Sequence, residues 1–89
     1  MSAYQINKLC HRVHHDAAFR KAVMTDPAAA IAEWPLTDAQ RSAILDGDVK
    51  RLYEMGAHAF LLSHLGRWSL FGLTSAMYSE RMRQATDPS

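Results

Sequence analysis

Eighty-nine residues, 48% hydrophobic and 21% charged, make one small globular domain and exclude a wholly disordered chain. Ten Lys+Arg against nine Asp+Glu leave a formal net charge of +1, so the broad basic field of a nucleic-acid or anionic-lipid binder is missing. A single cysteine, Cys10, excludes an internal disulfide and a cysteine-built zinc site. No apolar run approaches the ~18 residues of a membrane span, and Met1 to Asn7 lacks a signal-peptide core. These features lead to the expectation of a soluble, cytoplasmic chain folded as one domain over 1–89, with its core over about 4–83 and a frayed tail at 85–89.

The punctuation along the chain is helical. Ser2 can cap a first helix, in which Ile6, Leu9, Cys10 and Val13 fall on one face. Asp16 can cap a second, carrying Phe19, Ala22 and Val23. Asp26-Pro27 starts a third over Ala28 to Glu33, which Trp34-Pro35 stops because a residue before proline leaves the helical region. Thr37 and Gln40 form a capping box for a helix that buries Ile44 and Leu45 and ends at Gly47. Asp48 caps the next, with Val49, Leu52, Tyr53 and Met55 inward and a left-handed Gly56 closing it. Ala57 to Leu65 reads as a helix ended by Gly66, Arg67 to Gly72 as a loop, and Thr74 to Gln84 as a last helix. No period-2 stretch argues for a strand. The fold class is all-α, a single domain of about six short helices.

Few residues offer chemistry. His11 and His15, four apart, share a helical face, yet no third metal ligand stands near them in sequence, and a helix end is an ordinary place for histidine. His58 and His64 are six apart, so roughly 600° of helix separates them and they point to different sides. Cys10 falls among inward residues and reads as a small core hydrophobe rather than a nucleophile. Leu36 to Gly56 outlines two helices around a glycine with Arg41, Lys50 and Arg51. Asp46, Asp48 and Glu54 flank those cations and would repel phosphate, so no nucleic-acid partner is expected. Between Phe60 and Met82, large apolar side chains crowd beyond what so small a core readily encloses, which marks an interface.

Tyr4-Gln5-Ile6-Asn7-Lys8-Leu9, Phe19-Arg20, Asp26-Pro27-Ala28-Ala29, Trp34-Pro35-Leu36-Thr37, Gly47-Asp48-Val49, Leu52-Tyr53 and Gly56-Ala57-His58 follow one another in this order. This succession resembles the small (alpha) subunit family of protocatechuate 4,5-dioxygenase and related class III extradiol ring-cleavage dioxygenases, over residues 4 to 83. The resemblance implies a helical, non-catalytic subunit paired with a catalytic large (beta) subunit, usually as α2β2. In that family the large subunit holds Fe(II) through two histidines and a glutamate, the open triad suited to oxygen activation. It cleaves a catecholic substrate beside one hydroxyl, and the small subunit covers the cleft. This chain begins close to the shared first helix, which looks closer to small subunits that act on bulkier diols. The alternative function is a free-standing helical interaction module without a catalytic partner.

These implications give concrete expectations. No catalytic or metal-ligating residue is expected in this chain, and the isolated chain should bind Fe(II) only weakly. Phe60, Trp68, Leu70 and Phe71, with His58 and His64 as polar candidates, are expected to face the large subunit or its substrate entrance. Replacing Trp68 by alanine should then weaken assembly or raise KM while leaving the domain folded.

Overall fold

The computed structural model describes residues 3–86, all of whose regular structure is helical. In chain order the elements are α1 (Tyr4–His15), α2 (Ala17–Thr25), α3 (Pro27–Ala30), α4 (Asp38–Leu45), α5 (Val49–Glu54) and α6 (Ala59–Arg67). A 3-10 turn (Leu70–Gly72) and α7 (Ser75–Thr86) complete the chain. The all-α class is as expected, with seven α-helices rather than about six among the described residues. Helix α1 lies against α6 and α2, and α7 lies across α5 and α6. Ile6, Leu9, Val13, Val23, Ile44, Leu52, Leu62 and Leu65 fill the space between them with no solvent exposure.

Local capping fixes most helix starts. Asp16 accepts from Phe19 N (3.0 Å), Asp26 from Ala29 N (3.2 Å) and Asp48 from Arg51 N (3.1 Å). The Thr37 hydroxyl accepts from Gln40 N while Gln40 Oε1 accepts from Thr37 N, both at 3.0 Å. Each bond satisfies an amide that has no partner inside its helix. The expected Ser2 cap lies outside the described residues, and Ala3, at the N-cap position of α1, offers no side-chain bond.

Several boundaries differ from the sequence expectation, for reasons that lie in the packing. Helix α3 ends at Ala30 rather than near Glu33, because Ile31 turns into the core and its carbonyl is taken by the Arg41 guanidinium. Arg41 also donates to Trp34 O (2.8 Å), so this side chain ties the turn after α3 to α4 and is not free to meet phosphate. Tyr53, expected inward, is 37% exposed. It sits about 100° around α5 from the buried Leu52. Helix α6 starts at Ala59 and runs through Gly66 to Arg67 instead of stopping there. The last helix extends to Thr86, so residues 85 and 86 are helical, while Asp87, Pro88 and Ser89 of the expected tail lie outside the described residues.

Candidate functional site

The six side chains singled out from the sequence fall into four environments. His58 is the N-cap of α6: its Nδ1 accepts from Phe60 N (3.2 Å), and its own amide donates to Asn7 Oδ1 (2.8 Å). This fastens the start of α6 to α1 and requires Nδ1 to be unprotonated. Phe60, one residue into α6, is 66% exposed, the most exposed large apolar side chain among the described residues.

His64, one turn further along α6, is 4% exposed. Its ring stacks on His14 of α1 (centroids 4.3 Å apart, planes at 15°) and meets Phe60 edge-on at 5.3 Å. His14 in turn touches His15 at 4.7 Å, and His15 touches His11 at 4.2 Å. The expected shared face of His11 and His15 is therefore present, and the fold adds two further imidazoles to it. Among the described residues, however, no three His, Cys, Asp or Glu side chains are arranged to hold a metal ion. The thiol of Cys10 is buried and pushed up to about 12, which keeps it protonated and inert, in keeping with a core role.

Trp68, at the C-terminal end of α6, is half-buried against two cations. The Arg20 guanidinium lies over its ring at 4.0 Å, and Arg67 approaches at 5.7 Å. Arg20 Nη1 also donates to Val13 O and His14 O, both at 2.9 Å. One side chain thus closes the C-terminal end of α1 and stacks on Trp68, joining α1, α2 and α6. Trp68 therefore carries an intrachain packing role that its place after a glycine did not suggest. Its indole Nε1 and the Nδ1 of His64 are the buried side-chain polar atoms without a hydrogen-bond partner among the described residues.

Leu70 and Phe71 are core residues, 1% and 7% exposed. The expected open loop is instead the 3-10 turn, entered through a left-handed Ser69 (φ 53°) and containing a left-handed Phe71 (φ 55°). Non-glycine residues in this region are strained, and the turn tolerates them because it drives Leu70 and Phe71 inward. In this arrangement the exposed surface of the group comes from His58 and Phe60, with a half-buried Trp68, not from Leu70 or Phe71.

A second feature was not legible in the sequence. Between α1, α2 and the turn after α3, a groove of about 400 Å³ is lined by Lys8, Arg12, Phe19, Glu33 and Trp34. The Phe19 and Trp34 rings lie 5.7 Å apart, and Trp34 Nε1 donates to Gln5 O (3.0 Å). The only sequence signal is an aromatic before a proline, which speaks of a turn and not of a groove.

The histidine row carries a pH prediction. His64 is held below the usual histidine range first by desolvation, then by the charges of His14, Arg67, His15 and His11. His14 is lowered by desolvation first, then by His15, Arg67, Arg20 and His11. Both groups accept protons more readily in the unfolded chain. Stability should therefore be fully present above the unfolded histidine value and fall as pH drops through about 6.5. The melting temperature of the wild type should decline from about pH 8 to about pH 5.5, and that of His14→Gln should decline less. Equal slopes for the two would refute this account.

No curated protein and no solved structure matches the chain. No helix among the described residues is long and apolar enough to cross a membrane. A family model does match, over residues 6–86: the LigA subunit of the aromatic-ring-opening dioxygenase LigAB. It covers α1 from its first buried residue, Ile6, and every later helix to the end of α7. The chain therefore belongs to the LigA-subunit family of aromatic-ring-opening dioxygenases.

Proposed function

We propose that this chain is the small, non-catalytic subunit of an extradiol ring-cleavage dioxygenase. It pairs in the cytoplasm with a larger catalytic subunit, as α2β2, and covers the cleft in which a catecholic aromatic is opened by O2. Family membership across residues 6–86 carries this reading. The exposed Phe60 at the start of a rigid, capped helix supports it, since aromatic side chains held on firm elements are the usual anchors of an interface.

In this reading the reaction's Fe(II) is held by the larger subunit, while the imidazoles that α1 and α6 of this chain gather stack on one another. The small subunit contributes shape and dryness. A lid excludes bulk water from the cleft, which strengthens electrostatic interactions within it and limits side reactions of activated oxygen. Helices α1 and α6, joined through the bond from His58 N to Asn7 and the Arg20–Trp68 stack, give that lid a fixed surface.

The test is co-expression with a large catalytic subunit of the same dioxygenase family. The expected result is a stable heteromer that cleaves a catechol at the meta position, with iron retained by the large subunit and bound only weakly by the separated small chain. Failure to form a complex, together with no ring cleavage of any catechol, would overturn the proposal and leave a free-standing interaction module. Tight, stoichiometric iron in the isolated small chain would overturn the assignment of the metal.

A further inference from the structure

Helix α7 has 12 residues, as many as α1, yet none of them is buried, whereas α1 buries four. The buried core ends at Leu73, two residues before α7 begins. The inner side of α7 presents only half-buried side chains, Tyr78, Arg81, Met82 and Ala85, at the spacing of one helical face. Two grips fasten it. The Tyr78 ring fills the notch left by Gly66, and its hydroxyl donates to Ala59 O at 3.3 Å, which is long for such a bond. Arg81 Nη1 donates to Gly47 O at 2.7 Å and reaches Asp46 O at 3.4 Å. The close approach of α7 to its neighbours therefore comes from glycines that admit it, not from apolar side chains that it buries.

The segment before α7 supplies a fixed anchor. Leu70, Phe71 and Leu73 are held in the core, and Thr74, the next residue, is exposed. The other side-chain hydrogen bonds of α7 among the described residues stay within the helix and its cap. The Thr74 hydroxyl accepts from Met77 N (3.1 Å), Glu80 pairs with Arg83 and Gln84, and Thr86 donates to Met82 O. Detachment would strand no buried polar group, because the Tyr78 hydroxyl, the Arg81 guanidinium and the carbonyls they meet all pass to water together.

We propose that α7 is a strap that opens as one element after Leu73 while α1 to α6 stay folded, uncovering Gly66 and the adjoining face of α5. This concerns the chain by itself and does not depend on its reading as a small subunit. Opening α7 releases two grips and a half-buried face. Opening α1 or α6 instead exposes Ile6, Leu9, Val13, Leu62 and Leu65, which have no solvent exposure in the fold. Once detached, a 12-residue helix is marginal in water, so the open strap melts and its amides exchange with solvent. The open and closed forms therefore differ in an observable confined to α7.

The experiment is native-state hydrogen exchange of the full chain, followed residue by residue by NMR at low urea concentrations. The amides from Tyr78 to Thr86 should exchange at least about a hundredfold faster than the slowest amides of α1 and α6. They should share one urea dependence, smaller than that of global unfolding. Val23→Ala, in the core on α2, weakens the closed and open forms alike. It should therefore speed the slowest amides of α1 and α6 and leave those of α7 unchanged. Arg81→Gln weakens only the closed form and should speed the α7 amides about tenfold. Wild-type α7 amides as slow as those of α1 and α6, or α7 amides accelerated equally by Val23→Ala, would show that α7 opens only with the whole domain and would overturn the strap. Exchange that slows steadily from Thr86 towards Tyr78 with no urea dependence would be fraying of a helix end, and would overturn it as well. Unchanged α7 exchange in Arg81→Gln would overturn the assignment of that grip.

Discussion

Replacing Gly47 by alanine is expected to remove a large part of the chain's folding stability. Gly47 follows α4 with φ 64°, in the left-handed region, and a Cβ there would lie 2.7 Å from the carbonyl oxygen of Phe71 and 3.0 Å from Leu73 Cγ. The left-handed conformation alone costs an alanine about 1–2 kcal/mol. The overlap with a backbone carbonyl adds about 1–3 kcal/mol, because neither the turn nor the buried Leu73 can yield without opening the core. Arg81 tightens the same place, donating from α7 to Gly47 O at 2.7 Å. Small domains are stable by only about 5–15 kcal/mol, so a combined loss of about 2–5 kcal/mol should be plain in a urea titration. Gly72→Ala is the control. Its φ is also positive (78°), but no neighbour lies within 4 Å of the added carbon, so only the conformational cost applies. Equal destabilisation by the two variants would show that the approach of Phe71 does not matter.

Gly66→Ala should behave in a way that helix propensity alone predicts with the wrong sign. In an isolated helix, alanine is favoured over glycine by about 1 kcal/mol. In this fold a Cβ at Gly66 would stand 2.5 Å from Tyr78 Cγ and 2.6 Å from Tyr78 Cβ, atoms close to the α7 backbone that cannot swing clear. Helix α7 must then move off α6, and the variant should lose about 2–4 kcal/mol. Adding Tyr78→Gly removes both of these atoms. The double variant should be at least as stable as Tyr78→Gly alone, a strong coupling between two sites in contact. Additive losses in the double variant, measured by thermal or urea unfolding, would refute the close packing of α6 on α7.

Sequence patterning and tertiary structure contributed to different parts of this description. The starts of α2, α3, α4 and α5 were legible because each depends on an aspartate or threonine bonding an amide three residues on, a contact within one turn. The buried face of α1 was legible because Ile6, Leu9, Cys10 and Val13 repeat at the helical period. The family, too, was legible, from short motifs spread in fixed order over the chain.

The candidate surface was only partly so. The exposed Phe60 and the shared face of His11 and His15 follow from sequence, whereas the stacking of His14 on His64 joins residues fifty positions apart and follows from how α1 crosses α6. Leu70 and Phe71 look like loop residues because glycines bracket them, yet two left-handed residues fold that segment inward. Gly66 looks like a helix end, yet its missing side chain is what admits Tyr78. Burial and close approach are properties of pairs of elements, so no local pattern encodes them. What the sequence by itself determined is the helical class, the caps and the family. Only the tertiary structure decided which aromatics are core, which glycine is a contact, and which histidines meet, because those depend on distances between segments that local propensity does not set.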